Sequence, residues 1–541
     1  MSRRIGDGML SRIFRTVAPR AALKRELAQV KLDALKRAKE FLNSGYSHHG
    51  ASRQRTSMAA WVSTSKSPEE DIGENLELLR ERSRDQYYGV PLARGSIERI
   101  VTSSVGPGLR PKFSIDRDYL GMTEEEADRW EDTAEREFGY WAESKDCDAS
   151  RRNNFYEMQG VAFLSLLMNG DVFAALPMKP LPGRIYDLQV RLLEGDRVCD
   201  PMIMPRGVRI CQGIEMDPGG TPVAAWITNR HPKGESFALP KLDWVRAPFF
   251  GEVSGRRNLL HLMRSERVDQ PRGVPLLAPV IETLKQLGRY TDAELMSSVV
   301  NGMYSIFFEH EAKEMELGEE SYALDDSGLE EDLLGRVQLG YGSVFDLPPG
   351  VKANATAPGR PNQSFDAFVV AICRQVGSAL GIPFELLVLN FTSSYSASRG
   401  ALLEAWKLFK IWREWFSDNF CQPILFEWLC EAVLKGRIEA PGFFEDPMTA
   451  YCYSWVDWYG PAQGQLDPLK EVNAAQKRIE INASSESREA MELTGSEWEM
   501  NVRLRAKEEA VKKKLGLGSA GYSAPVAVPD SGGDGEREGE E

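Results

Sequence analysis

The chain has 541 residues, 42% of them hydrophobic, and a net charge of −14. That length exceeds what one core supports and calls for two to four substructures of a folded protein. The acidity argues against a basic face that reads nucleic-acid sequence. The charge is uneven: residues 1–57 hold thirteen Lys and Arg against four acids, a net of +9, whereas Val528 to Glu541 carry a net of −5.

In chain order, residues 1–57 read as a basic arm, partly helical and partly disordered. Leu23, Leu27, Val30, Ala34, Ala38 and Phe41 share one helix face, and Gly45 to Arg55 reads as a linker. Residues 58–272 read as one α+β domain. Within it a helix covers Leu92 to Val101, and Gly106 to Gly108 break the chain. Thr123 to Glu126 form a capping box that opens a helix burying Ala127, Trp130, Ala134, Phe138 and Trp141. The apolar run Val161 to Pro177 is interrupted by Asn169 and Asp171; it reads as buried helix, turn and strand, not a membrane span. Strand alternation follows in Asp187 to Leu193 and Val223 to Thr228, with a turn at Pro218 to Gly220.

Pro275 to Val300 reads as a long helix with Leu277, Val280, Leu284 and Leu287 on one stripe and Pro279 in its first turn. Residues 310–363 form an insert, acidic from Glu309 to Leu334 and strand-like from Val337 to Ala357. A second helix, Phe365 to Leu380, closes it at Gly381 and Pro383. Asn390 to Ser398 is a loop of Asn, Ser, Thr and Tyr without charge. A helix bearing Trp406, Phe409, Trp412, Phe416 and Phe420 at spacings of three and four follows. Lys435 to Tyr453 reads as irregular. Asp467 caps a helix begun by Pro468, and Thr494 to Glu497 is a second capping box, before the charged helix Trp498 to Leu515. Residues 516–541 are rich in Gly, Ser, Pro and acid and read as a disordered tail.

Chemistry is sparse. The sequence holds no G-x-x-x-x-G-K-[ST] loop and no G-x-S-x-G elbow. His48 and His49 have no Cys or acid at ligand spacing, and His231, His261 and His310 stand apart in sequence, so no metal is expected. Runs such as Glu330-Glu331-Asp332 read as a solvated face. Seven cysteines, none in a C-x-x-C pair and with no secretory leader, read as reduced buried thiols. No catalytic residue and no cofactor is expected.

Several short segments resemble the lambda-like phage portal proteins: Arg272-Gly273-Val274-Pro275, Leu193-Glu194-Gly195-Asp196-Arg197, Gly381-Ile382-Pro383, and Tyr395, Ser396 and Arg399 ahead of the Trp-bearing helix. Asp467-Pro468-Leu469-Lys470-Glu471 completes the set, which runs in order over roughly Tyr87 to Lys514. The resemblance implies an α+β portal-type subunit assembled as a ring, a dodecamer. Residues 58–272 would be its wing, 273–309 the first stem helix region and 310–363 a small α/β clip. Residues 364–435 would hold the second stem helix, channel loop and aromatic helix, and 436–515 a helical crown. It implies a non-enzymatic channel at one capsid vertex of the virion, made in the host bacterial cytoplasm, through which double-stranded DNA is packaged and ejected. Partners would be the terminase large subunit, the major capsid protein and head-completion or neck proteins, with no membrane. Asn390, Thr392, Ser393, Ser394, Tyr395, Ser396 and Arg399 would face the channel. There a neutral polar lining makes sense, because Lys–phosphate contacts would hold a sliding polyanion. Arg399 is expected to anchor the loop to an acid such as Glu404. Two alternatives remain: a DNA-binding capsid scaffold using the basic N-terminus, and a hydrolase whose site has no recognised motif.

Overall fold

The computed structural model describes residues 63–234, 242–302, 306–310, 351–355, 365–391, 395–463, 468–494 and 498–515, with scattered positions before residue 63. The chain divides into two units, Met1–Ser67 and Pro68–Glu541. In the first, residues 24, 27, 28 and 30–32 are helical, with Leu27 and Val30 exposed. Most of the basic arm, the acidic run 311–350 and the tail 516–541 lie outside the described residues.

The second unit opens with α1 (Pro68–Gly89), started by Pro68 and three acids in its first turn. The face it buries is largely polar: Leu76, Arg80, Ser83, Gln86 and Tyr87. That is why no apolar stripe announces it. Helix α2 (Pro91–Ser104) buries Ile97 and Ile100, and β1 (Arg110–Phe113) follows the left-handed glycines Gly106 and Gly108. After the short α3 (Arg117–Leu120), α4 (Glu124–Ala142) has the expected capping box at Thr123 and Glu126 and buries its five expected residues. Helix α5 (Phe155–Asn169) starts on a second capping box, Asn154 and Glu157, and ends at Gly170 with φ of 89°. The chain then turns directly into β2 (Asp171–Ala175).

Seven strands of this unit form two antiparallel sheets. Strand β2 lies between β3 (Arg191–Glu194) and β8 (Leu259–Met263). The other four, β4 (Arg209–Cys211), β5 (Ile214–Met216), β6 (Pro222–Thr228) and β7 (Trp244–Pro248), follow one another as a meander. Phe173, Leu193, Val198, Ile214, Ala225, Phe249 and Leu259 form a small core of their own here.

Helix α6 (Ile281–Gly302) begins six residues later than the expected start at Pro275. The residues before it, Ala278–Val280, form a 3-10 turn. Pro275 and Pro279 withhold N–H donors on this approach, which favours the tighter turn. Leu277, Val280, Leu284 and Leu287 are all buried as the stripe requires. Strands β9 (Ile306–His310) and β10 (Val351–Ala355) pair antiparallel at the base of the insert. Helix α7 (Phe365–Leu380) returns along α6, with Phe365 and Phe368 against Tyr290.

A short helix, α8 (Phe384–Val388), leads to α9 (Tyr395–Phe416). A π turn, Ser417–Cys421, then passes into α10 (Gln422–Leu434). Pro423 has no N–H for the carbonyl of Asn419 and its ring crowds that carbonyl, so the ladder widens there. Residues 435–453 are not wholly irregular: α11 (Pro447–Tyr453) is a helix capped by Asp446, whose carboxylate accepts from Thr449 N at 3.0 Å. Its seven residues are too few to show a stripe.

Strand β11 (Val456–Tyr459) pairs antiparallel with β1, bringing together segments nearly 350 residues apart. Trp130 Nε1 donates to Glu439 O at 2.8 Å, and Arg437 forks onto Glu137, so α4 shares one core with this segment. The chain ends in α12 (Pro468–Glu480), α13 (Glu486–Thr494) and α14 (Trp498–Lys514). Asp467 and residues 495–497, the expected caps, lie outside the described residues. The second unit is an α+β fold: helices around one large core, and two small sheets that enclose a second.

Candidate functional site

The segment with the neutral loop is held from both ends. On its N-terminal side, α7 stops at Gly381, whose φ is 71°. A Cβ at Gly377 would lie 2.5 Å from Ile382 O, so the turn needs a glycine there for closeness alone. Arg99 Nη1 donates to Leu387 O at 2.9 Å and ties α8 to α2. Leu389 caps α8 in the left-handed region, φ 55°. Asn390 and Phe391 are exposed.

On its C-terminal side, α9 sinks its aromatic face into the main core. Phe409, Trp412, Phe416 and Phe420 are buried, and Phe163 of α5 meets both Trp412 and Phe416 edge-on, at 5.7 and 5.2 Å between ring centres. Arg413 donates to the carbonyls of Ser103, Ser104 and Pro461 at 3.1, 2.9 and 2.8 Å. This residue thus ties the C-terminal part of the helix to the end of α2 and to Pro461, just after β11.

The loop is shorter than the sequence reading had it. Tyr395, Ser396 and Arg399 lie on the first turns of α9, while Thr392, Ser393 and Ser394 lie outside the described residues. Arg399 is half-buried, and it does not pair with Glu404. Glu404 instead bonds Lys407, three residues on, at 2.7 Å. A five-residue separation places Arg399 and Glu404 on different helix faces, whereas three places Glu404 and Lys407 on one. Arg399, Leu402, Leu403 and Trp406 line one wall of a cavity of about 1190 Å³; Ala474 of α12 and Met491 of α13 line another.

The other landmark segments, Leu193 to Arg197 and Arg272 to Pro275, converge on one buried carboxylate that the sequence did not single out. Asp171, fully buried at the start of β2, accepts from Arg272 Nε at 2.6 Å and from Arg80 Nη2 at 2.6 Å. Arg272 is 1% exposed, and its remaining donors reach the carbonyls of Gly195, Val198 and Gln212 at 2.6, 2.7 and 2.6 Å. With a second bond to Asp171, from Nη2 to Oδ1 at 3.3 Å, all five of its N–H groups are used. Arg80 also donates to Asn169 O, at 2.9 Å. His261 of β8 lies 3.3 Å from Asp171 Oδ2 and stacks on Phe173 at 4.1 Å.

Burial by itself would raise the Asp171 pKa. The guanidiniums of Arg272 and Arg80, and then His261, overcome it and hold the carboxyl well below the usual carboxylate range. Burial lowers the His261 pKa, and its bond to Asp171 only partly offsets this, so the ring is neutral. The glycines of the landmarks are needed for closeness. A Cβ at Gly195 would fall 2.1 Å from Asp171 Oδ1, and one at Gly273 would fall 1.9 Å from Gly170 O.

Beside this node, Glu194, Asp196 and His231 come within reach of one another. Cationic side chains already hold them. Arg84 Nη1 lies 3.2 Å from Glu194 and 2.5 Å from Asp196. His231 Nδ1 accepts from Lys233 N at 3.2 Å, which leaves Nε2–H to donate to Asp196 at 3.3 Å. A metal ion would have to displace Arg84 and reverse that tautomer. The cysteines are free thiols, five buried and Cys199 and Cys430 half-buried; burial pushes Cys147 and Cys430 up to about 12, which makes them inert.

The segments that build the loop and the node fall within a family match. The model of the lambda family of phage portal proteins matches residues 54–413. Portal protein B of Escherichia phage lambda is 23% identical over 500 residues, 89% of this chain and 92% of the relative. The probable portal protein of Halomonas phage phiHAP-1 is 23% identical over 442 residues, 80% of this chain and 81% of the relative. Among solved structures, a chain from the virion of a native gene transfer agent particle is 15% identical with a TM-score of 0.42. It matches 77% of this chain and 92% of its own length. A chain from the neck of the native particle, computed with C12 symmetry, is 13% identical with a TM-score of 0.40 over the same shares. By the match over two thirds of its length, the chain belongs to the lambda family of phage portal proteins.

Proposed function

We propose that this portal protein acts without chemistry of its own, as one of twelve copies closed into a ring at one capsid vertex of the virion. Double-stranded DNA enters the capsid through the ring during packaging and leaves through it on ejection. The terminase large subunit docks on the ring first and neck proteins replace it; the major capsid protein surrounds it. The subunit is made in the host bacterial cytoplasm. In this reading residues 58–272 are the wing and 273–309 the first stem region. Residues 310–363 are the clip, 364–435 the second stem helix with channel loop and aromatic helix, and 436–515 the crown.

The observation that carries the channel assignment is the seating of the neutral segment. Asn390, Thr392, Ser393, Ser394, Tyr395 and Ser396, with Arg399 after them, bear one charge among seven residues. In the chain they run from Asn390, just after the pinned α8, to the first turns of α9, which carry Tyr395, Ser396 and Arg399 ahead of a buried aromatic face. A rigid mount under a polar, neutral surface suits contact with a moving polyanion: it touches phosphates without releasing the counterions that make binding tight.

The test is electron microscopy of negatively stained, purified full-length chain. Rings with a hole wide enough for duplex DNA are expected. A homogeneous monomer at every salt and protein concentration would refute the reading. A second measurement addresses the loop: Ser393→Lys with Ser394→Lys should leave rings intact, yet make DNA retention strongly salt-dependent.

A further inference from the structure

We infer that the acidic segment Asp530 to Glu541 lies back along α14 of its own chain and answers the lysines there, closing them to other polyanions. Helix α14 is tied to β1 and α4 near its start, where Glu499 lies 3.9 Å from Lys112 and Arg503 donates to Asp132 at 2.9 Å. From Asn501 to Lys514 every residue of it is exposed. The helix carries six basic side chains against three acids, a net of +3. Arg505 bonds Glu509 at 3.2 Å, one turn on. Lys507, Lys512, Lys513 and Lys514 have no hydrogen-bond or ion-pair partner among the described residues. Lys512 and Lys513 have Glu509 one turn back, whereas Lys507 and Lys514 have no acid at that spacing. The residues three and four places from them on α14 are Arg503, Leu504, Ala510 and Val511. With Arg503, these two lysines form one basic stripe. The negative end of the helix dipole accounts for Lys512 to Lys514, but not for Lys507, two turns from that end.

Residues 530–541 hold six acids against Arg537, a net of −5, and so match the stripe in charge. Fourteen residues separate Leu515 from Asp530, ten of them Gly, Ala, Ser or Pro. A tether of that length and composition spans roughly 20 Å. The run of helix from Leu515 back to Arg503 is about 18 Å, at 1.5 Å per residue. Because the two lengths match, the acids meet the stripe at an effective concentration on the order of millimolar, ahead of any free partner. The tether also carries Leu517, Tyr522, Val526 and Val528, while Leu504, Val511 and Leu515 stand exposed beside the stripe, so apolar contacts accompany the charged ones. Bare lysines here would bind duplex DNA and release its counterions; a tethered anion makes that exchange less favourable. The contact lies within one chain, so it stands or falls apart from the ring reading above.

The experiment compares the full-length chain with a variant neutralised at all six acids: Asp530→Asn, Asp534→Asn, Glu536→Gln, Glu538→Gln, Glu540→Gln and Glu541→Gln. Acylation of each lysine by a water-soluble succinimidyl ester is followed by mass spectrometry. At low salt, Lys507 and Lys514 should react roughly two- to fivefold more slowly in wild type than in the variant, the range that an exposed ion pair gives. Lys233, held by Glu77 and Glu81, should react equally in both. The difference should vanish at about 1 M salt, where the Debye length is about 3 Å. Carbodiimide cross-links in mixed 14N and 15N chains should join these lysines to acids of the same isotope. Added duplex DNA should slow both lysines in the variant and leave wild type unchanged. Equal rates at low salt, a difference that persists at high salt, or cross-links that join 14N to 15N peptides would each overturn the inference. The same slowing by DNA in both chains would show an open stripe and overturn it too.

Discussion

Arg272 holds Asp171 at two points, 2.6 Å from Nε to Oδ2 and 3.3 Å from Nη2 to Oδ1, although 101 residues separate them in the chain. Their pairing joins the root of the long α6 helix to β2, and through the carbonyls of Gly195, Val198 and Gln212 to the segments on either side of β4. The pair is a device of register more than of raw stability, since a buried ion pair costs nearly as much to desolvate as it returns.

Breaking it from one side should be severe. Asp171→Asn leaves two buried guanidiniums facing an amide, and a loss of about 3–5 kcal/mol is expected. Arg272→Lys keeps the charge but offers three donors where five are used, and should also lose stability. Urea midpoints of the isolated chain read both; an Asp171→Asn midpoint equal to wild type would show that the node is not structural. Because the folded Asp171 pKa lies below its unfolded value, its contribution is fully present above about pH 4. It is lost only as pH falls through the still lower folded value.

His261 gives the acid slope nearer neutrality. Its folded pKa is depressed, so below about pH 6.5 the unfolded chain takes up a proton that the folded chain refuses. Stability should decline there by up to roughly 1.4 kcal/mol per pH unit. In His261→Gln that component of the slope should vanish. Denaturation curves between pH 7 and pH 5 decide it, and identical slopes in the two proteins would contradict the assignment.

Two glycine substitutions should act in opposite directions. Gly273→Ala drives a methyl group into the Gly170 carbonyl oxygen, which backbone neighbours cannot yield cheaply; a loss of about 3 kcal/mol or failure to fold is expected. Gly160→Ala, inside α5 with nothing within 4 Å of the new atom, should stabilise by about 0.5–1 kcal/mol. Thermal melts measure both.

The mount of the neutral loop can be loosened without touching the loop. Phe416→Ala opens a cavity between Phe163 and Phe420 and should cost about 3–5 kcal/mol. Ile411→Ala, at a 59% exposed position on the other face, should change stability by less than about 1 kcal/mol. Hydrogen exchange at the start of α9 should accelerate in the first variant only.

Local pattern was enough for the helices with an apolar stripe. Ala127 to Trp141, Leu277 to Leu287 and Phe409 to Phe420 bury the faces their spacing implies, and the Thr123 capping box forms as written. In these elements each residue's partner is water or a generic core, and a period of 3.6 carries the information. The order of short landmarks along the chain was likewise enough to point to the family. What only the tertiary structure decided is where the polar groups go. Helix α1 buries Arg80, Ser83 and Gln86, a face that reads as solvated until Asp171 and the carbonyls of Met168 and Asn169 stand opposite it. The β1–β11 pair and the Arg272–Asp171 contact depend on backbone and charge partners hundreds of residues apart or nearly so. A buried charge is tolerable only beside its partner, and that partner has no fixed spacing in sequence; folding, not periodicity, brings the two together.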